Sequence, residues 1–150
     1  MIDQSQVTII IPHIFLSKET DFALRECLIS LDETVPNIQK IVAINGMKFE
    51  NDFKTIKFPN VKFIVLEDQG QCKASNAAVA TVNTPWVFIT NNDMVYAPGW
   101  WEKLTQQVDG WPSHCISPKL IEPKVGAPTF EVYFCGGAGG DFDKQKWLEF

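Results

Sequence analysis

Val7-Thr8-Ile9-Ile10-Ile11 is a nearly unbroken β-branched run, closed by Pro12. A strand with one face in water alternates apolar and polar residues. A continuous apolar run instead suits a central strand covered on both faces, the setting of a parallel sheet flanked by helices. The chain beyond it supplies the alternation such a fold needs. From Thr20 to Leu31, Phe22, Ala23, Cys27, Leu28 and Leu31 recur at helical spacing, with Asp21 and Glu26 among the polar positions. Ile38-Gln39-Lys40-Ile41-Val42-Ala43-Ile44 reads as a second strand, ended by Asn45-Gly46, a pair that tolerates positive φ.

Residues 47–59 read as a short helix or a loop. Val61-Lys62-Phe63-Ile64-Val65-Leu66 is a third strand, followed by Glu67-Asp68-Gln69-Gly70. Cys72, Ala74, Ala77, Ala78 and Val82 then mark a helix of small residues that contains Asn76. The apolar run from Trp86 is too brief for a helix, ends in Asn91-Asn92-Asp93 and passes through Pro98-Gly99 into a new periodic segment. That segment predicts a helix starting at Pro98, with Trp101, Leu104 and Val108 on one face. Ile116-Ser117-Pro118 and Phe130-Glu131-Val132-Tyr133-Phe134 are weaker strand candidates, before a Gly-rich segment at 136–140 and an amphipathic stretch from Asp141 to Phe150. The expectation is a single α/β domain, a mostly parallel sheet with helices on both faces.

Bulk properties narrow the function classes. With 150 residues and 45% hydrophobic content, the chain can bury one core and not two. A net charge of −5 leaves no basic footprint for nucleic acid. No apolar run approaches the roughly 20 residues of a membrane span, and Met1-Ile2-Asp3-Gln4 lacks the start of a signal peptide, so the expected location is cytoplasmic. Cys27, Cys72, Cys115 and Cys135 show no paired spacing and read as free thiols rather than a zinc or redox site.

Four predicted strand ends carry polar or turn-forming residues: Pro12-His13, Asn45-Gly46, Asp68-Gln69-Gly70 and Asn91-Asn92-Asp93. In parallel strands these converge on one rim, where α/β sheets bind ligands. Taken singly, each has a bland reading as a turn, since Asn and Asp bond to local backbone groups.

In order, the four ends resemble the nucleotide-binding half of family 2 glycosyltransferases, inverting enzymes of the GT-A fold. Ile9-Ile10-Ile11-Pro12 looks like the family's first strand. Ala43-Ile44-Asn45-Gly46-Met47 matches its V-D-N-G-S segment, with Ile44 where an Asp reads the nucleotide base. Uridine selectivity then falls to Asn45 or Asp68. Gly70 through Asn76 resembles the Gly and Asn, six apart, of a helix that approaches base and ribose. Asn91-Asn92-Asp93 with Pro98-Gly99-Trp100-Trp101 is similar to the D-x-D segment and the P-G-W helix start.

The resemblance implies a nucleotide-diphosphate sugar as donor and a glycan or other hydroxyl as acceptor. It implies Mn²⁺ or Mg²⁺ at Asp93 with Asn91, and nucleotide contacts from Pro12, His13, Asn45, Gly46, Asp68, Gly70, Lys73, Asn76, Asn91 and Asn92. A hard cation held by oxygens suits a diphosphate leaving group. Each residue keeps its bland alternative: His13 as a strand-end side chain, Lys73 as a solvated helix charge, Trp100-Trp101 as packing rather than a sugar platform.

An inverting transfer also needs a base for the acceptor hydroxyl. Gly139-Gly140-Asp141-Phe142-Asp143-Lys144 looks like the family's G-G-F-D-E segment, and the family spacing puts its E-D pair beyond Phe150. Either the base lies there, or Asp141, Asp143 or Glu149 replaces it. A non-catalytic nucleotide- or glycan-binding domain is the competing class. A sugar nucleotidyltransferase or a dinucleotide-dependent dehydrogenase is disfavoured, because no Gly-rich loop follows the first strand.

Overall fold

The run at Val7 forms β1 (Val7–Phe15), an inner strand of a four-stranded sheet in a computed structural model that describes residues 2–47, 57–106, 120–122 and 130–132. One turn of 3₁₀ helix, Gln4–Gln6, precedes it. All of β1 except Ile14 is buried, as a strand covered on both faces requires. Ile9, Ile10 and Ile11 are fully buried, each contributing about 1.5–3 kcal/mol of hydrophobic stabilisation.

The chain continues through α1 (Lys18–Thr34), β2 (Gln39–Met47), β3 (Val61–Leu66), α2 (Gln71–Ala80) and β4 (Trp86–Ile89). The four strands are parallel, in the order β3-β2-β1-β4. Crossovers between parallel strands are right-handed, so the chain stepping from β1 to β2 and the chain returning from β3 to β4 cover opposite faces. On the α2 side, Ala74, Ala78, Val79 and Val82 pack on Ile10, Ile41 and Ala43, with Ile64, Leu66 and Val87 against them. The small alanines let this helix lie close to the sheet.

On α1, Glu19 and Asp21 occupy the first turn, where the helix dipole favours carboxylates, and the Thr20 hydroxyl accepts from Ser17 N–H at 3.1 Å. Its buried stripe is Leu24, Cys27, Leu28 and Leu31, at the i, i+3, i+4, i+7 spacing. Phe22, expected on that face, is 64% exposed, because two residues before Leu24 is the far side of a helix. Lys40 is buried, and its ammonium donates to Val35 O and Ile38 O at 3.2 and 3.1 Å, the acceptors a buried charge needs.

Three boundaries differ from the expectation. β1 runs through Pro12 to Phe15. Ile10 O accepts from Thr90 N at 3.0 Å, so the main-chain groups of Ile10 and, two residues on, Pro12 turn toward β4. β4 ends at Ile89, so the N–H that Pro12 lacks has no ladder bond to make there. β2 continues through Asn45-Gly46 to Met47, with Gly46 at φ +80°. The helix expected from Pro98 begins at Trp100, because Gly99 has a φ of +79°, outside helical geometry.

By contact the chain divides into two units, Ile2–Gly99 and Trp100–Phe150. The second contains α3 (Trp100–Gln106), where the Trp100 and Trp101 rings meet edge-on at 5.6 Å, and an antiparallel pair, β5 (Leu120–Glu122) with β6 (Phe130–Val132). β6 falls within the strand expected from Phe130, whereas β5 lies just after the candidate at 116–118. The undecided segment at 48–56, Val108, Cys115, the strand candidate at 116–118, Cys135, the Gly-rich segment, Asp141, Asp143 and Glu149 lie outside the described residues. Among the described residues no helix is long and apolar enough to cross a membrane.

Candidate functional site

The chain steps from β1 outward to β2 and β3, then returns to place β4 on the other side of β1. β4 thus pairs with β1 at the point where the strand order reverses, the place where doubly wound sheets bind ligands. A cleft of about 240 Å³ opens there, lined by Pro12, His13, Ile14, Asn45, Gln71, Asn91, Asn92 and Asp93.

Alternation along β4 explains how the polar residues beyond it are held. Val87 joins the cluster under α2, while Phe88 faces the other way and meets the Tyr96 ring edge-on at 6.2 Å. Carried past the strand end, the same alternation directs Thr90 to a hydroxyl–hydroxyl bond with Tyr96. Asn91 turns to α2, where its Oδ1 accepts from Gln71 Nε2 at 3.2 Å. Asn92 turns to β1, where its amide nitrogen lies 2.6 Å from His13 Nδ1. Tyr96 N–H donates to Ser30 Oγ at 3.1 Å, and Cys27 Sγ lies 3.7 Å from Asn91 O, so α1 braces the loop from behind. Asp93 stands exposed at the tip of this anchored turn.

Burial sets the electrostatics. It pushes the His13 imidazole down to about 4, against the pull of the Asp21 carboxylate, so the ring is neutral at pH 7. Burial, reinforced by the negative charge of Asp93, pushes the Cys27 thiol up to about 12, so it acts as a weak donor and not as a nucleophile. The Tyr96 phenol is also raised, first by burial, and stays protonated.

The β2 rim is arranged differently. Asn45 is buried, its Oδ1 accepting from Gln69 N at 2.9 Å and its Nδ2 donating to Asp68 Oδ1 at 3.3 Å. A Cβ on Gly46 would lie 2.8 Å from Asp68 Cβ. The loop before α2 thus closes onto the end of β2, and Ile44 beneath it is fully buried.

Of the residues singled out from the sequence, the fold brings Pro12, His13, Asn45, Asn91, Asn92 and Asp93 into the cleft lining. Gly46, Asp68, Gly70, Lys73 and Asn76 do not line it; Asp68, Gly70 and Lys73 are exposed, and Gly46 and Asn76 half-buried. Sequence reasoning missed Ile14 and Gln71. Gln71 carried a usable signal, since it is the first helical residue after the Gly70 turn and so sits directly above the strand ends.

The donor atoms of Asn91, Asn92 and Asp93 can be tested against the implied cation. They offer one exposed carboxylate and two amides, oxygen ligands suited to Mg²⁺ or Mn²⁺. Among the described residues no group of three His, Cys, Asp or Glu could hold a metal ion by itself. The set fits a hard cation whose coordination is completed by phosphate oxygens and water.

A comparison with curated proteins returned no match. Among solved structures, the chain is similar to "Crystal structure of S. aureus TarS", with a TM-score of 0.53 and 15% identity over 69% of this chain and 19% of that one. It is likewise similar to "Crystal structure of S. aureus TarS 1-349", with a TM-score of 0.57 and 16% identity over 72% of this chain and 33% of that one. At such identities the likeness establishes the α/β fold alone, and this chain spans a third or less of either protein. The sequence profile described as "Glycosyl transferase family 2" matches residues 23–128, well over half of the chain and including the whole Asn91-Asn92-Asp93 turn. The chain belongs to glycosyl transferase family 2.

Proposed function

We propose that the chain is the donor-binding domain of a glycosyltransferase that moves a sugar from a nucleotide diphosphate to an acceptor hydroxyl with inversion. The observation that carries this reading is the anchored turn at the switch point. Asn91 and Asn92 are tied back to α2 and β1, and Asp93 is presented to the cleft. Such an arrangement fixes an oxygen array in advance, so little ordering cost falls on the binding step.

In this reading Asp93, with Asn91, holds Mn²⁺ or Mg²⁺, which when bound offsets the negative charge on the departing diphosphate. The chain's residues bind and orient. Asp93 supplies the one carboxylate, Gln71 holds the Asn91 amide, and neutral His13 leaves the cleft free of a competing positive charge. At about 240 Å³ the cleft is smaller than the 300–1,000 Å³ usual for a complete ligand site, so it takes part of the donor. Lys73 and Asn76 on α2, and Asp68 and Gly70 before it, are assigned to the remainder, beyond the cleft. Asp141, Asp143 and Glu149 are assigned to the acceptor side as alternatives to a base elsewhere in a longer chain.

One observation favours a second reading, a nucleotide- or glycan-binding domain without catalysis. Ile44, in the position where the family's Asp reads the base, is fully buried and apolar.

Calorimetry with UDP, GDP and TDP, each with and without Mn²⁺, on wild type and Asp93→Ala, tests the donor site. Metal-dependent binding lost in the variant is the expected result, and absence of binding to every nucleotide defeats the proposal. Transfer to a defined acceptor, compared between wild type and Asp143→Ala, separates the catalytic reading from the binding-only one.

A further inference from the structure

His13 enters the cleft in an unusual manner. It is 3% exposed, its ring meets Phe15 edge-on at 4.3 Å, and its Nε2 is buried without a hydrogen-bond partner among the described residues. A ring so enclosed offers a ligand little surface. Its strong contact is internal, 2.6 Å from Nδ1 to the Asn92 amide nitrogen, joining β1 to the turn after β4 across the switch point. A neutral imidazole has one donor nitrogen and one acceptor nitrogen. With Nδ1 accepting from Asn92 Nδ2, the ring proton resides on Nε2 and the Asn92 oxygen is the end of that amide left for a ligand.

We propose that His13 is a positioning residue of the cleft: it accepts from Asn92, fixes which end of that amide a ligand meets, and so holds the Asn91-Asn92-Asp93 turn in binding geometry. The identity of the ligand rests on the donor-site reading above. The pairing itself does not. Phe15 sets the plane of the ring, and Gln71 holds Asn91 from the α2 side while His13 holds Asn92 from the β1 side, so the turn is fixed at two neighbouring residues. Asp21 is the charge that acts on the ring; it opposes the lowering by burial without reversing it, so the imidazole stays neutral.

The test has two independent readouts on the 150-residue chain. Long-range ¹⁵N–¹H correlation spectra of the imidazole report the tautomer, and the Asn92 side-chain amide signals report its partner. The expected result is the Nε2–H tautomer, with the Asn92 amide protons shifting markedly in His13→Ala; an Nδ1–H tautomer, or an unmoved Asn92 signal, overturns the proposal whatever the ligand is. The second readout is the dissociation constant for UDP with Mn²⁺. His13→Ala and Asn92→Ala should each weaken binding roughly five- to fifty-fold, and the double variant no more than the worse single, as coupled neighbours do. His13→Asn, whose Oδ1 can stand in for Nδ1, should restore most of the affinity. Additive losses, or His13→Asn as weak as His13→Ala, overturn the role. Wild type that binds no nucleotide, yet shows the Nε2–H tautomer and the Asn92 shift, sinks the donor reading and leaves the positioning pair established. If His13→Ala fails to fold, His13→Asn decides the affinity arm: retained affinity supports the role, and a loss as large as that of Asn92→Ala overturns it.

Discussion

The two rims of the sheet use the same chemistry to opposite ends. At β2, Asn45 spends both ends of its amide on the chain itself, bonding Gln69 N and Asp68, and Gly46 lets that loop close within contact distance. At β4, Asn91 and Asn92 are held by Gln71 and His13, and those bonds leave the carboxylate between them and the loop exit exposed. An amide beside a carboxylate therefore does not make a site. What matters is whether its hydrogen bonds end inside the protein or leave an acceptor facing the cleft.

Four changes would break or sharpen this contrast. The largest effect is expected from Asp93→Ala, which should weaken Mn²⁺-dependent nucleotide binding by about 100-fold or more, near 3 kcal/mol, with an unchanged melting temperature. Calorimetry and thermal denaturation together check both halves of that statement. Gly46→Ala places a Cβ 2.8 Å from Asp68 Cβ at a φ of +80° and should cost stability on the order of 2–3 kcal/mol in urea unfolding. Loss of nucleotide affinity without loss of stability would show that this rim acts through direct contact with the donor rather than through closure of the loop.

Asn45→Ala leaves Gln69 N without its partner and should cost about 1–2 kcal/mol, again in stability first. The fourth effect is acid-dependent and is absent at neutral pH. The folded pKa of His13 is depressed to about 4 from 6.5, so above pH 6.5 the ring is neutral in both states. As pH falls through that window the unfolded chain takes up a proton the folded chain resists, and stability declines toward pH 4. His13→Asn should remove this share of the slope of unfolding free energy against pH between 6.5 and 4; an identical slope in the two proteins would place the neutral ring in doubt.

Much of the scaffold was legible because the physical cause lay within a few residues. The apolar run of β1, the helical spacing in α1 and the alanines of α2 each state their own environment. The errors fall where the cause lies elsewhere in the chain. Pro12 looked like a strand end, and is tolerated because β4, some eighty residues later, ends one register step too soon to need its N–H. Phe22 is the exception, since its own angular position around the helix, a local property, puts it on the outer side. Asn45 and Asn91 could not be told apart, because the partner that consumes each amide comes from a different element.

The sequence by itself determined the α/β class, the parallel strands and the polar strand ends, since periodicity and turn chemistry are local properties of the chain. The tertiary structure decided which of those ends form a site. Strand order placed β4 beside β1 and put His13 against Asn92, while β2 and β3 closed on each other. How each of these amides is held depends on hydrogen bonds between residues far apart in the chain, and those contacts exist only once the sheet has formed.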